Sequence, residues 1–545
     1  MKDTSVVFDE AASRADKRPR FVLYFQDLGF RFSSYKKASE PEWWDIITEV
    51  SGTSGQVRPN EGVADISGVT VKVMDDTRFH QFAPLVRREE RVKLYGGFAS
   101  IPDDDAQVLI TGLVEDIYED VAGGEWTIRI NDLNFYKIAS AFRSFGKSTL
   151  DGDHAAGDVT ITVLSTDGTA DGDSAFHDPG DSPTNGYLLI DDEIIPYTAL
   201  GGGGVTFTGC TRGQHTEAGG SEAASHSDGA QVHELFRLYG NPVDLYLSML
   251  TSTGTGLNGA YDLWESDQGL GIDDSVIDID KFEEERDRFL PSDNFQFFLK
   301  EEISQVKSWS EKQIFRVINA YPIVTGAGKI SFRLYNPPFD SDPDELNYHD
   351  VESISQQRRG LKEIINNTVV HYDKNIVSGS FQTKRYDLQS DSINDHGLSR
   401  SWKCESDGLY SLYQADSIID RNITRMFNRY KNGVASFVAK IFFSKFKWDP
   451  GEIIKVTLSY LVDWAKGTRG VDERLMEVVT IRPNMLKGEI DCEIWDTGLS
   501  GKYGIICPNS YPTYADATNY QKQWGYVCET ATEEMPDGDP PTLIM

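Results

Sequence analysis

Between Asp151 and Glu234 the chain carries fifteen acidic residues and a single basic one, Arg212, in a background of glycine, serine and threonine. Such a composition is usual in segments that cannot bury enough apolar surface to fold. Two apolar runs break the pattern: Val159-Thr160-Ile161-Thr162-Val163-Leu164 and Tyr187-Leu188-Leu189-Ile190. A disordered linker would lack them. Residues 146–236 are therefore expected to form a small acidic, glycine-rich β-module inserted between larger domains, with Gly201–Gly204 as a turn between two of its strands.

The whole chain has 545 residues, which favours three to five domains. Ahead of the insert, residues 1–145 read as a β-domain. Arg20–Phe25 opens it, Val69, Val71 and Val73 alternate onto one face, and Trp126, Ile128 and Ile130 do the same beyond a glycine-containing turn. Residues 237–345 mix helix and strand. Pro242 stands at a helix start. Ser310-Glu311-Lys312-Gln313 fits a capping box, Ile314, Val317, Ile318 and Tyr321 follow at helical spacing, and Pro322 is the expected stop. Residues 346–500 return to strands around one helix, whose stripe is Ile419, Ile423, Met426, Phe427 and Tyr430. Asn432-Gly433 is its stop, and Ile490, Cys492 and Ile494 share a face further on. Residues 501–545 read as a loop-rich arm. The expected fold is mainly β with α+β parts.

The formal net charge is −33. A surface this acidic repels phosphate backbones and anionic membranes, so stable binding to nucleic acid or membrane is not expected. A duct that nucleic acid crosses without adhering remains compatible with it, and solubility explains the charge equally well. The amino terminus is polar and no apolar run is long enough to span a bilayer, so synthesis and folding in a cytoplasm are expected. The five cysteines (Cys210, Cys404, Cys492, Cys507 and Cys528) include no CxxC and read as reduced, mostly buried thiols.

Several fragments imitate chemical motifs and fail on context. Gly254-Thr255-Gly256-Leu257-Asn258-Gly259 has dinucleotide-loop spacing but follows a helical segment where a strand is required. Gly326-Ala327-Gly328-Lys329 lacks the upstream glycine and the following hydroxyl of a phosphate loop. His215, His226 and His233 cluster in sequence without a metal-ligand spacing. Asp167, Asp171, Gly172 and Asp178 sit at calcium-loop positions, but Thr169 occupies the third place and no helices flank them. The sequons at Asn366 and Asn422 carry no weight without a leader. Neither HExxH nor GxSxG occurs, and Cys507 has no nearby histidine. No catalytic, cofactor-binding or metal residue is therefore assigned: the expected site and cofactor sets are both empty, and the chain is not expected to be an enzyme.

In the insert, Leu189 to Tyr197, Phe207 to Gly213, Thr216, His226 and Gly229-Ala230-Gln231-Val232 resemble a small module common in phage tail proteins. Gly240 to Leu245, Gly269-Leu270-Gly271-Ile272 and Ile277 to Phe282 resemble the central region of siphophage tail-tip hub proteins, including the lambda-type central tail-tip protein. Val69 to Val73, Val92 to Gly97 and Thr111 to Glu115 are similar to the first barrel of hub proteins, and Asp449 to Val456 to the second. The resemblance, to the phage tail-tip and baseplate hub family, implies two tail-tube-like β-barrel domains and a homotrimer closing a ring at the virion tail tip, made in a bacterial host's cytoplasm. The implied partners are further copies of the chain, distal tail and tail-tube proteins, the tape-measure protein and tip or fibre proteins, with DNA only in transit. Neither an appended peptidoglycan hydrolase nor a four-cysteine iron–sulfur site is legible. The alternative is a calcium-dependent β-rich adhesin or receptor-binding protein using the acidic insert. A third, a glycan hydrolase, has no residue to anchor it.

Overall fold

A computed structural model describes residues 5–14, 18–35, 44–51, 54–66, 68–87, 90–102, 105–120, 124–132, 140–142, 145–164, 176, 178–179, 185–201, 205–251, 269–325, 329–335, 343–464, 466–484, 487–499, 504–506, 525–527 and 542–544. Strand accounts for 47% and helix for 22%, so the protein is mainly β with α+β parts, as the sequence predicts.

The first sheet has seven antiparallel strands in the order Phe30–Ser33, Pro19–Phe25, Arg91–Phe98, Gln107–Asp120, Glu125–Asp132, Val69–Met74 and Ile47–Ser51. Val69, Val71 and Val73 point inward, because a strand with one solvated face must alternate. The ladder does not close. Its two ends approach through a parallel bridge from Phe32 to Trp44, where the Ser33 amide donates to the Trp44 carbonyl at 2.7 Å. Helix Thr77–Phe82 plugs the interior with Phe79 and Phe82, edge-on to Phe25 and Phe32. Asp76 caps its start by accepting from the Arg78 amide.

The second sheet orders Glu345–Asn347, Ile453–Asp463, Thr468–Asn484, Glu489–Asp496, Val434–Phe442 and Val351–Gly360. It too is open. A hairpin from the amino-terminal region, Gly55–Arg58 and Val63–Ile66, adds to strand Thr468–Asn484 with Gln56 opposite Thr480. The two sheets share one hydrophobic core. Phe8, on helix Val6–Ser13, touches both sides of it, packing on Phe98 of the first sheet and on Phe443 and Phe446 beside the second.

The residues of the insert form strands. Lys147–Thr149, Gln231–Gly240, Gly186–Ile190 and Glu193–Tyr197 pair in that order, and Thr160–Thr162, Thr206–Thr208 and Ala199–Gly201 form a second small sheet. Leu150, Ile161, Val163, Leu188, Ile190, Tyr197, Phe207 and Val232 make its core. Strand Gln231–Gly240 does not end where the acidic composition ends. Its second half leaves the module and pairs with Phe295–Leu299, so residues 236 and 237 lie within one continuous strand.

Around that strand a second large core gathers helices Pro242–Thr251, Ile279–Phe289 and Ala415–Tyr430 with the hairpin Ala320–Val324/Ile330–Leu334. It also takes in Asn367–Lys374 and Ser401–Glu405, two members of a three-stranded sheet completed by Phe381–Leu388. Residues 361–433 thus interrupt the second sheet and pack with the α+β region. They hold two helices where the sequence suggests one, the additional one being Ser390–His396.

Two local expectations are corrected. Ser310 is not a cap: its backbone is already helical, because the helix begins at Val306 and passes through a π-helical turn, Glu311–Phe315, before Arg316–Ile318. Nor does Pro322 stop that helix. Asn319 stops it in a left-handed conformation (φ 55°), and Pro322 lies inside the following strand opposite Phe332. The expected carboxyl-terminal arm contains three short paired strands, Gly504–Ile506, Gly525–Val527 and Thr542–Ile544. Among the described residues no helix is long and apolar enough to cross a membrane.

Candidate functional site

The motif residues of the insert converge on Glu193. Its side chain is fully buried, and Arg212 grips it with both arms, Nε to Oε1 at 2.9 Å and Nη2 to Oε2 at 2.8 Å. The amides of Gly213 and Ala224 donate to the same carboxylate at 2.7 and 3.1 Å, and His226 Nε2 lies 2.9 Å from it. His226 Nδ1 turns to Asp191 at 2.8 Å, Arg212 Nη1 donates to the Ala155 carbonyl, and Nη2 donates to the Ala224 carbonyl as well as to Glu193. Burial pushes the Glu193 carboxyl up, but Arg212 and the two amides outweigh it and hold it below the ordinary 4.5. Each arm of this network ends on another protein group, so it locks three turns together and leaves no vacant donor for a substrate.

A second buried lock joins the large core to the second sheet. Arg429, on helix Ala415–Tyr430, meets Glu477 at 2.7 Å with both side chains almost wholly buried. Tyr321 donates its hydroxyl to the same carboxylate. The guanidinium lies 4.9 to 5.7 Å from the rings of Tyr335, Tyr430 and Trp495, whose negative faces offset part of its desolvation.

Beside that lock lies a cavity of about 780 Å³ where the second sheet, the large core and the amino-terminal hairpin meet. Five cations reach its wall: Lys312, Arg316, Lys362, Arg400 and Lys403. Glu363 and Glu405 are the acids there, and Trp402, Trp495 and Tyr430 supply rings. Lys312 belongs to the π-helical turn and Arg316 follows directly on it. Arg316 stacks over Trp402 at 5.2 Å, and the Trp402 indole N–H donates to the Asn60 carbonyl at 3.0 Å. Lys403 pairs with Glu405 at 2.5 Å. Arg400 donates to the Lys362 carbonyl. Tyr430 is 2% exposed, and its hydroxyl has no hydrogen-bond partner among the described residues.

The other residues singled out in the sequence separate. His215 binds Glu217 at 2.9 Å and packs on Phe298, His226 serves Glu193, and His233 sits in strand Gln231–Gly240 opposite Leu189. Among the described residues no group of three or more potential ligands is placed to hold a metal. Asp178 accepts from the Leu200 amide, while the rest of the calcium-like series at 167–172 lies outside the described residues. The Gly254–Gly259 series, Gly326–Gly328, Cys507 and Cys528 lie outside them too. Cys210, Cys404 and Cys492 are free and buried, and burial pushes the first two thiols up to about 11 and about 12. Asn366 and Asn422 are buried, each donating to backbone carbonyls. Sequence reasoning missed the cavity. Its cations are scattered between positions 312 and 403, and only the topology assembles them.

No family model and no curated protein matches the chain. Solved structures that it is similar to include a tail protein from Neisseria meningitidis, at 8% identity over 88% of this chain and 97% of that one, with a TM-score of 0.37. The 43 kDa tail protein of prophage MuSo2 from Shewanella oneidensis matches at 9% identity over 87% and 98%, with a TM-score of 0.35. A prophage tail protein from Listeria monocytogenes matches at 7% identity over 88% and 95%, with a TM-score of 0.37.

Proposed function

We propose that the chain is a structural hub subunit of a phage-type tail tip. Three copies close a ring at the end of the tail tube, join it to tip or fibre proteins and leave a lumen through which DNA passes during ejection. Its other partners are distal tail and tail-tube proteins and the tape-measure protein, its place is the virion tail tip, and it performs no catalysis. The observation that carries this reading is the shared core of the two large sheets. Each chain presents two sheets, the first antiparallel and the second antiparallel but for the pair Glu345–Asn347/Ile453–Asp463, so three chains supply six around a ring. The ordered sequence resemblance to hub proteins supports the same arrangement. Strand Val351–Gly360 is the last of the second sheet's order; among the described residues no further strand pairs with its outer side, where the Gln357 side chain reaches the Val462 backbone, and that side is the one offered for contact between copies. Light scattering and negative-stain micrographs of the purified chain test it. A trimer with a central hole is expected; a chain that stays monomeric, or a trimer without a ring, overturns the reading.

A further inference from the structure

The cavity beside Arg429 runs against the charge of the whole chain. Acidic residues outnumber basic ones by 86 to 53, so an unsatisfied cation has many potential partners. Yet Lys312, Arg316, Lys362 and Arg400 have no carboxylate within 4.0 Å among the described residues, and all four line one cavity. Set against Glu363 and Glu405, the wall's five cations still leave three positive charges in excess, and gathering like charges is unfavourable unless something of opposite sign enters. The Arg316 guanidinium lies over Trp402, an arrangement that holds its plane while leaving its edge donors to meet an oxyanion. The Tyr430 hydroxyl is the independent observation. A polar group this deeply buried is ordinarily paired, and Tyr430 is one of the residues that line this cavity. Burial pushes its titration up to about 12, so at neutral pH it keeps its proton and can donate. The volume falls within the range of small-molecule sites and exceeds what a bare inorganic ion fills. Ile364, Ile365 and the two indoles give the remainder an apolar wall.

We propose that this cavity binds a small phosphate-bearing molecule with an apolar or ring-shaped body, its phosphate oxygens met by Lys312, Arg316, Lys362, Arg400 and the Tyr430 hydroxyl. The site is independent of ring formation. Calorimetry on the full chain, with tryptophan fluorescence in parallel, tests it using phenyl phosphate, inorganic phosphate and benzoate as probes. Phenyl phosphate is expected to bind about tenfold or more tighter than either of the others, since only it supplies both the dianion and the ring. The double variant Lys362→Ala/Arg400→Ala changes exposed side chains and is expected to lower that affinity at least about tenfold with an unchanged melting temperature. Tyr430→Phe removes an unpartnered hydroxyl, so it is expected to weaken binding several-fold, about the worth of one hydrogen bond, without lowering the stability of the unliganded protein. No heat and no fluorescence change up to about 10 mM phenyl phosphate, affinity unaltered in the double variant, or benzoate binding as tightly as phenyl phosphate would each overturn the assignment.

Discussion

Arg212 is the only Lys or Arg in a stretch with fifteen acids, and its side chain, 6% exposed, closes on that of Glu193, which has no exposure at all. Breaking such a pair strands the other charge, which typically costs about 3–5 kcal/mol, far more than the pair itself contributes over an apolar replacement. Arg212→Met is expected to destabilise the insert by about that amount. Hydrogen exchange checks it: amides of Gly186–Ile190 and Glu193–Tyr197 should lose protection, while those of the first sheet keep theirs. Glu217 carries a pH signal at the same module's docking surface. Burial pushes its carboxyl up, but His215 and the Gln296 amide hold it down to about 2, against an ordinary value of 4.5. The folded value lies below the unfolded one, so its contribution is complete above 4.5 and disappears as the pH falls toward about 2. Glu217→Gln is expected to flatten the pH dependence of the module's exchange protection across that window.

At the scale of elements, hairpin 55–66 does more than its length suggests. It extends the second sheet at Thr480, receives the Trp402 indole at Asn60 and takes the Lys307 ammonium on the Ala64 carbonyl. Its turn works only with glycine at position 62. There φ is +70°, and a Cβ would stand 2.7 Å from the Arg316 amide nitrogen. Gly62→Ala meets both a left-handed backbone cost of about 1–2 kcal/mol and that collision, so it is expected to destabilise by at least that range, read as a lower melting temperature. Nothing in the local sequence announces this docking, since pairing with a strand far along the chain leaves no local period. Strands 69–74 and 489–496 were legible because one buried face forces alternation. Val351–Gly360 was not, because it lies at the end of the strand order, partly exposed on both faces, and its only large apolar side chains, Val351 and Ile354, are three residues apart and do not alternate. The insert's motif pointed to Glu193, Arg212 and His226 by type; only the fold reveals that they satisfy one another.

For the whole molecule, the charge of −33 decides how copies meet. Three like-charged chains brought into one ring repel over distances comparable to the Debye length, about 8–10 Å at ordinary ionic strength and about 3 Å at 1 M salt. Many of the attractive contacts within the chain are of another kind. The Arg212–Glu193 and Arg429–Glu477 pairs are buried and screened little, and the core shared by the two sheets is apolar. Salt should therefore weaken repulsion between copies far more than cohesion within one. Raising sodium chloride from about 0.05 to 0.5 M is expected to shift self-association toward the trimer, measured by sedimentation velocity at fixed protein concentration, with little change in melting temperature. The opposite sign, a trimer that dissociates as salt rises, would mean that complementary charges hold the copies together. The ladder edge of Val351–Gly360, which carries Arg359 beside the Glu493-paired Arg358, would then be the first place to look for them.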